Sequence, residues 1–273
     1  MALVRLWVLG SGSLGNAVLL EHGTTRILID AGLSPRSTCA RLARIGIAPE
    51  SILALLLTHE HQDHARGARV LARRFHWPIY ATRGTHAELP DLRRARREIV
   101  SRGEPTLLDQ LLIESWMVPH DAAEPCAYFI TANDSGERAV IAFDLGYVSS
   151  GLAEACGHVD ILVLESNHDE GMLRAGPYPP SVQRRIAGPF GHLSNRAAGI
   201  LMRAAVKRRA QHVVLCHLSE VNNSPDVALG NARRVLKSAG FQGTVVAATQ
   251  DVVCGPVGST QLRLPFELYG RRV

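Results

Sequence analysis

Short apolar runs punctuated by glycine open the chain. Leu3–Leu9 and Ala17–Glu21 read as two strands, and the GSGSLGN segment between them reads as a glycine-rich hairpin turn. Arg26–Ile29 is a third strand that stops at Asp30. Helical spacing over Pro35–Ile45 leads to ILALLLT at 52–58, whose unbroken hydrophobicity fits a strand buried on both faces. That strand runs directly into THEHQDH. Residues 65–75 have helical spacing, and Ile79–Ala81 is a brief strand after Pro78. Strand patterns follow at Leu111–Val118, Ala127–Thr131, Ala139–Phe143 and Asp160–Glu165. Helix and strand then alternate: Ser194–Arg209, Val213–Cys216, Pro225–Ala239, Thr244–Ala248. This order predicts an α/β protein of mixed sheets with helices outside them. No linker, repeat or low-complexity tract divides the chain, so a single domain over 1–273 is expected. The Arg93–Arg97 run reads as a solvated helix face.

Composition narrows the picture only a little. The formal charge is +5, and of the 30 basic residues only Lys207 and Lys237 are lysines. Arginine suits bidentate phosphate contacts, so a polyanionic substrate is permitted but not required. Five scattered cysteines without a CxxC pair argue for a reducing, cytoplasmic setting rather than a disulfide framework. The N-terminal apolar runs are broken by Gly and Ser before they reach the length of a signal peptide or membrane span, so neither is expected.

Candidate chemistry changes the picture most. The run His59-Glu60-His61-Gln62-Asp63-His64 puts four candidate ligands, His59, His61, Asp63 and His64, within six residues at the end of a buried strand. Burying such groups without partners is costly, and a metal ion supplies the partner. Imidazole with carboxylate suits zinc, manganese or iron. If the segment is extended, alternation puts His59 and His61 on one side and sends Asp63 and His64 to a neighbouring point, giving two adjacent centres. Further ligands are needed. His120 closes WMVPH, Asp144 closes AVIAFD and His217 follows VVLC, each where a strand meets a loop.

Asp30, the HxHxDH run, His120, Asp144 and His217 together resemble, in order and placement, the motifs of the metallo-β-lactamase fold. The resemblance implies a four-layer αββα sandwich, two mixed β-sheets flanked by helices, with a dinuclear centre at the loop ends. It implies that His59, His61 and His120 hold one divalent ion (Zn2+ or Mn2+), that Asp63, His64 and His217 hold the other, and that Asp144 bridges them. Asp30 is expected to brace rather than ligate. The segments GSGSLGNA, THEHQDH, VPHDAAEP, ESNHD, LRAGPYP, GHLSN and CHLSEVNN are similar to the YycJ/WalJ-like (VicX) group, which implies a 5′→3′ exonuclease on double-stranded DNA. Gln62 stands where a smaller residue such as Ser is more familiar.

Two metals a few ångströms apart would lower the pKa of a bridging water, so that hydroxide attacks the phosphodiester in line. Asp63 is a candidate base as well as a ligand. His192 precedes a helix for which Ser194 is the expected N-cap, and resembles the histidine that assists phosphate and leaving group in tRNA 3′-processing relatives. Glu165 resembles the glutamate of the same relatives and is expected to orient His192. His168 carries no firm assignment, and the glycine-rich turn is a weak candidate for phosphate contact. The alternatives are a small-molecule phosphodiesterase like the PhnP group, an ester or thioester hydrolase of the same fold, and a non-catalytic DNA-binding or regulatory protein. His120 and Asp144 are 24 positions apart, and Asp144 and His217 are 73 apart. These spacings are too short for the arm of tRNA 3′-processing enzymes or the cap of β-CASP nucleases, so an uncapped site is expected.

Overall fold

A computed structural model describes residues 3–207 and 209–258. The chain first lays down a meander, β1 (Val4–Gly10), β2 (Ala17–His22) and β3 (Thr25–Ile29), joined by tight turns. Parallel strands β4 (Ala54–Leu56), β5 (Ile79–Ala81) and β6 (Arg97–Ile99) then extend that sheet. Parallel neighbours need crossovers. These are α1 (Pro35–Arg44), then α2 (Gln62–Ala65) with α3 (Ala68–Phe75), then α4 (Arg83–Glu88).

The second sheet repeats the plan. Antiparallel β7 (Thr106–Leu108), β8 (Leu111–Met117), β9 (Cys126–Ala132) and β10 (Arg138–Ala142) give way to parallel β11 (Ile161–Glu165), β12 (His212–Cys216) and β13 (Thr244–Ala247). Its crossovers are α5 (Ser150–Cys156), then α6 (Glu170–Ala175), α7 (Pro180–Ile186) and α8 (Asn195–Val206), then α9 (Pro225–Ser238). β14 (Cys254–Gly258) returns to pair with β1. Among the described residues each sheet has seven strands.

Alternation gives the central strands two buried faces, while β8, next to the edge strand β7, buries only one. In β4, Ala54 and Leu56 join the core between the sheets, together with Leu6, Val8, Ile29, Tyr128 and Ile141. Leu55 and Leu57 point the other way, against Leu42 of α1 and Leu71 of α3. The second sheet likewise sends Val140 and Leu162 outward onto Leu152, Leu201 and Leu229 of its helices. Helix, sheet, sheet, helix is the expected αββα sandwich, and the continuous hydrophobicity of ILALLLT has the predicted cause.

Two expectations are corrected. Arg93–Arg97 is exposed but is not a helix face: a short 3-10 turn, Pro90–Arg94, is followed by the edge strand β6. His59 to His64 is not one extended turn either. Only the stretch to His61 is extended; His61 is the N-cap of α2, and Asp63 and His64 lie inside that helical turn.

Candidate metal centre

The site gathers where the sheets switch to parallel pairing, at the carboxyl ends of β3, β4, β10, β11 and β12, with β8 adding His120. Such ends offer side chains to a common crevice. Asp30, Asp144 and His217 each follow closely on a strand, and each has a left-handed backbone, with φ of 60°, 52° and 52°. A non-glycine residue there costs of order 1–3 kcal/mol, which surrounding structure must offset. Three such residues around one crevice mark it as a place where side-chain position matters more than backbone ease.

Imidazole nitrogens are steered one by one. His64 Nδ1 lies 2.7 Å from the Asp30 carboxylate, which also accepts from the Thr58 backbone N–H at 2.8 Å. Asp30 is thus the brace expected of it. His59 Nδ1 is 3.0 Å from Thr58 Oγ1, and His120 Nδ1 is 3.2 Å from the Gly191 carbonyl. An oxygen that takes the Nδ1 proton leaves Nε2 as the free lone pair, the arrangement typical of histidines that bind metal. His59 Nε2 is buried with no hydrogen-bond partner, and neither Asp144 oxygen has one of acceptable geometry. Yet imidazole nitrogens stand close to that carboxylate: His64 Nε2 at 2.8 Å, His217 Nδ1 at 2.9 Å, His192 Nδ1 at 3.0 Å and His59 Nε2 at 3.6 Å. Proximity without directional bonds, in a buried place, is what a donor set shaped for cations leaves.

Donor atoms cluster in the combinations that the family resemblance implies. His59, His61 and His120 bring one atom each within 4.8 Å of one another, as do Asp63, His64 and His217. His59, His64 and Asp144 do so too, which puts Asp144 between the two trios. Each of these groups could hold a metal ion.

A fourth group joins Asp144, Glu165, His192 and His217. Glu165, fully buried at the end of β11, accepts from Leu145 N–H at 2.9 Å and Leu193 N–H at 3.1 Å. Its other oxygen is 2.7 Å from His192 Nδ1 and 3.1 Å from His217 Nδ1. Burial opposes ionisation of Glu165, but the adjoining His192 outweighs it and holds the carboxyl at about 2. Burial likewise works against charge on His192, and Glu165 with Asp144 overcomes it, raising the imidazole to about 10. Cations on Asp144 would take back part of that rise. Ser194 caps α8 as expected, accepting from Ala197 N–H. His168 is buried, its backbone tied to Ser194 and Asn195, and it belongs to none of these groups.

Sequence reasoning missed what the glycine-rich turn does. Asn16, fully buried, accepts from Ser11 Oγ and Gly12 N–H through Oδ1, and its Nδ2 lies 3.1 Å from His64 Nε2. Its backbone N–H donates to the Asp63 carbonyl at 2.7 Å, and Ser11 Oγ accepts from His217 N–H at 2.7 Å. The turn therefore fastens loops of both sheets beside the ligands. A Cβ on Gly32 would sit 1.6 Å from the Asp63 carbonyl oxygen, so only glycine allows this packing. Turn signals in the sequence mark the hairpin but not its partner, which is 47 residues away from Asn16.

The cleft above these residues has a volume of about 280 Å3. His61, Asp63, His120, Asp144, His192 and His217 line it, with Ser13, Tyr178, Arg185 and Ser219 at its margins.

A sandwich of two mixed sheets with this histidine and aspartate centre defines a class, and comparison with known proteins agrees: residues 10–176 match the metallo-β-lactamase superfamily, to which the chain belongs. Within it the chain falls with the YycJ and WalJ proteins. It is 35% identical over 238 residues to exodeoxyribonuclease YycJ of Bacillus anthracis, covering 86% of this chain and 89% of that protein. It is 35% identical over 227 residues to exodeoxyribonuclease WalJ of Streptococcus pneumoniae, covering 81% and 84%. Among solved structures, the metallo-β-lactamase fold protein YhfI of Bacillus subtilis superposes with a TM-score of 0.69 at 19% identity, over 92% of this chain and 99% of that one. That likeness speaks for the fold alone.

Proposed function

We propose that this protein is a DNA exonuclease that hydrolyses phosphodiester bonds with two divalent cations, Zn2+ or Mn2+, acting 5′→3′ on duplex DNA in the cytoplasm. The observation that carries the reading is the pair of donor trios on either side of Asp144, in a chain 35% identical across most of its length to proteins named exodeoxyribonucleases. His59, His61 and His120 would hold one ion and Asp63, His64 and His217 the other, with Asp144 shared. When bound, the ions supply Lewis acidity that lowers the pKa of water and charge that draws the phosphoryl oxygens.

The protein's own groups do the rest. Asp63, at the cleft, is held as a carboxylate: burial disfavours its charge, but hydrogen bonding from His217 and His64 prevails and lowers its pKa. It is positioned both to ligate and to take a proton. His192, fixed through Nδ1 by Glu165, turns its other nitrogen to the cleft as the donor to a phosphate oxygen or the leaving group. Five free thiols support a reducing compartment.

The test is digestion by metal-reconstituted protein of 5′-labelled duplex, 5′-labelled single strand and a generic phosphodiester ester, with metal analysis in parallel. Shortening of the duplex from its 5′ end, two ions per chain and loss of cleavage in Asp63→Ala with fold and DNA binding retained are expected. Rapid cleavage of the ester with untouched duplex would establish a small-molecule phosphodiesterase instead.

A further inference from the structure

The helical segment that carries Asp63 continues into a stretch whose charges are all positive. Between Asp63 and Glu88 there is no acidic residue, while Arg66, Arg69, Arg73, Arg74 and Arg83 fall within it. Arg66, Arg69 and Arg73 follow one another at i, i+3 and i+7, with Val70 and Arg74 alongside. At 3.6 residues per turn these five occupy an arc of about 140°. The opposite face of α3, Ala68, Leu71 and Ala72, is buried in the helix–sheet core. Arg66, Arg69, Arg73 and Arg74 are all exposed, and among the described residues none is ion-paired with a carboxylate.

Other exposed arginines, Arg93, Arg94 and Arg184 among them, also lack such a partner among the described residues, but some do have one. Arg185 pairs with Asp121 at 2.6 Å, Arg196 with Glu170 at 3.1 Å, and Arg209 with Asp160 at 2.6 Å. Arg69, Val70, Arg73 and Arg74 line a surface groove of about 340 Å3. The groove is joined to the cleft by a short fixed link. Arg66 Nη2 donates to the Leu14 carbonyl at 2.8 Å, and the neighbouring Ser13 lines the cleft margin. Asp63 and Arg66 are three residues apart in the same helical segment. A continuous path therefore runs from the cleft wall, over Leu14 and Arg66, along two turns of α3.

Guanidinium groups without carboxylate partners, on side chains whose Cβ atoms lie one helical turn, about 5–6 Å, apart, suit successive phosphates of a polynucleotide strand, each an isolated anion that a fork-shaped donor can grip. We propose that the α3 arginine row is the track for the phosphate backbone of duplex DNA outside the cleavage site, holding the substrate while its end occupies the cleft. The inference rests on the nuclease reading. It adds the surface that gives a duplex preference over small esters, which the cleft alone does not provide.

The double variant Arg69→Ala/Arg73→Ala tests it, since both side chains are exposed and neither belongs to the centre. Duplex affinity is read by fluorescence anisotropy of the protein in chelator, and KM and kcat by digestion with the metal-loaded protein. Loss of two phosphate contacts should flatten the slope of log affinity against log salt by about 1.8 and weaken binding and KM by roughly tenfold near 0.1 M salt. kcat and hydrolysis of the generic ester should stay at wild-type values. Unchanged affinity, slope and KM, with wild-type protein digesting duplex normally, would overturn the track and leave the nuclease reading intact. Wild-type protein that neither binds nor digests duplex would overturn both.

Discussion

The two donor trios are built on opposite electrostatic plans. His59, His61 and His120 are all imidazoles, and burial pushes His59 and His120 below the ordinary histidine value, toward the neutral form that ligates. Asp63, His64 and His217 sit amid Asp30, Asp144 and Glu165; burial opposes charge there too, but the carboxylates win and raise both histidines well above that value. The second trio therefore has internal partners and can satisfy much of its own charge. The first has few, and His59 Nε2 has no hydrogen bond. The contrast teaches that one half of the centre is braced by protein and the other depends on what it binds.

Breaking the shared residue should have the largest effect. Asp144→Asn is expected to reduce bound metal from two ions to at most one and to lower phosphodiester cleavage on the order of 10^4-fold, the metal and proton-transfer contributions being lost together. Metal analysis with digestion rates checks it, and full metal content would refute the bridging role. Next, His192→Ala should lower kcat by about 10^2–10^4 with metal content intact, as for a general acid. Glu165→Gln should fall between that variant and wild type.

A sharper probe compares His64→Ala with His59→Ala in the metal-free protein. Removing His64 leaves the buried Asp30 without its charged partner, so urea unfolding should show a loss of about 3–5 kcal/mol. His59→Ala should cost clearly less, because its buried Nε2 makes no hydrogen bond for the substitution to break. Equal costs would erase the distinction between the trios. Asn16→Ala, which unties the glycine-rich turn from His64, should weaken metal affinity by about 10–100-fold.

The smallest effect comes from histidines outside the centre. Burial lowers His86 and His212 below 6.5, with carbonyl or carboxylate neighbours only partly opposing it. A folded pKa below the unfolded one means that the unfolded chain binds protons first. Their contribution to stability is complete above about 6.5 and declines as pH falls below it, so Tm should drop on moving from about pH 7 toward 5.5. His86→Gln/His212→Gln should flatten that drop.

The metal loop and the strand-end ligands were legible because ligand chemistry at the end of an apolar run has few structural explanations. The trios themselves came from family resemblance, and the structure groups the same residues. Other parts were silent for physical reasons. β6 is an edge strand whose Arg97 and Ile99 are exposed, so no buried face imposes alternation on it. β14 carries Pro256, which disguises a strand. Helices α5 to α7 are six or seven residues long, too short for a periodic pattern to emerge. The role of Asn16 depends on a contact across 47 positions, and nothing local to GSGSLGN encodes it.

The left-handed turns at Asp30, Asp144 and His217 set a trade-off for anyone who would engineer this protein. Glycine at any of the three would relax the main chain, and at Asp144 it would also remove a buried anion. There the relief of the turn is opposed by the buried imidazoles of His64 and His217, which would lose their counter-charge, so backbone ease and stability pull in opposite directions at that position.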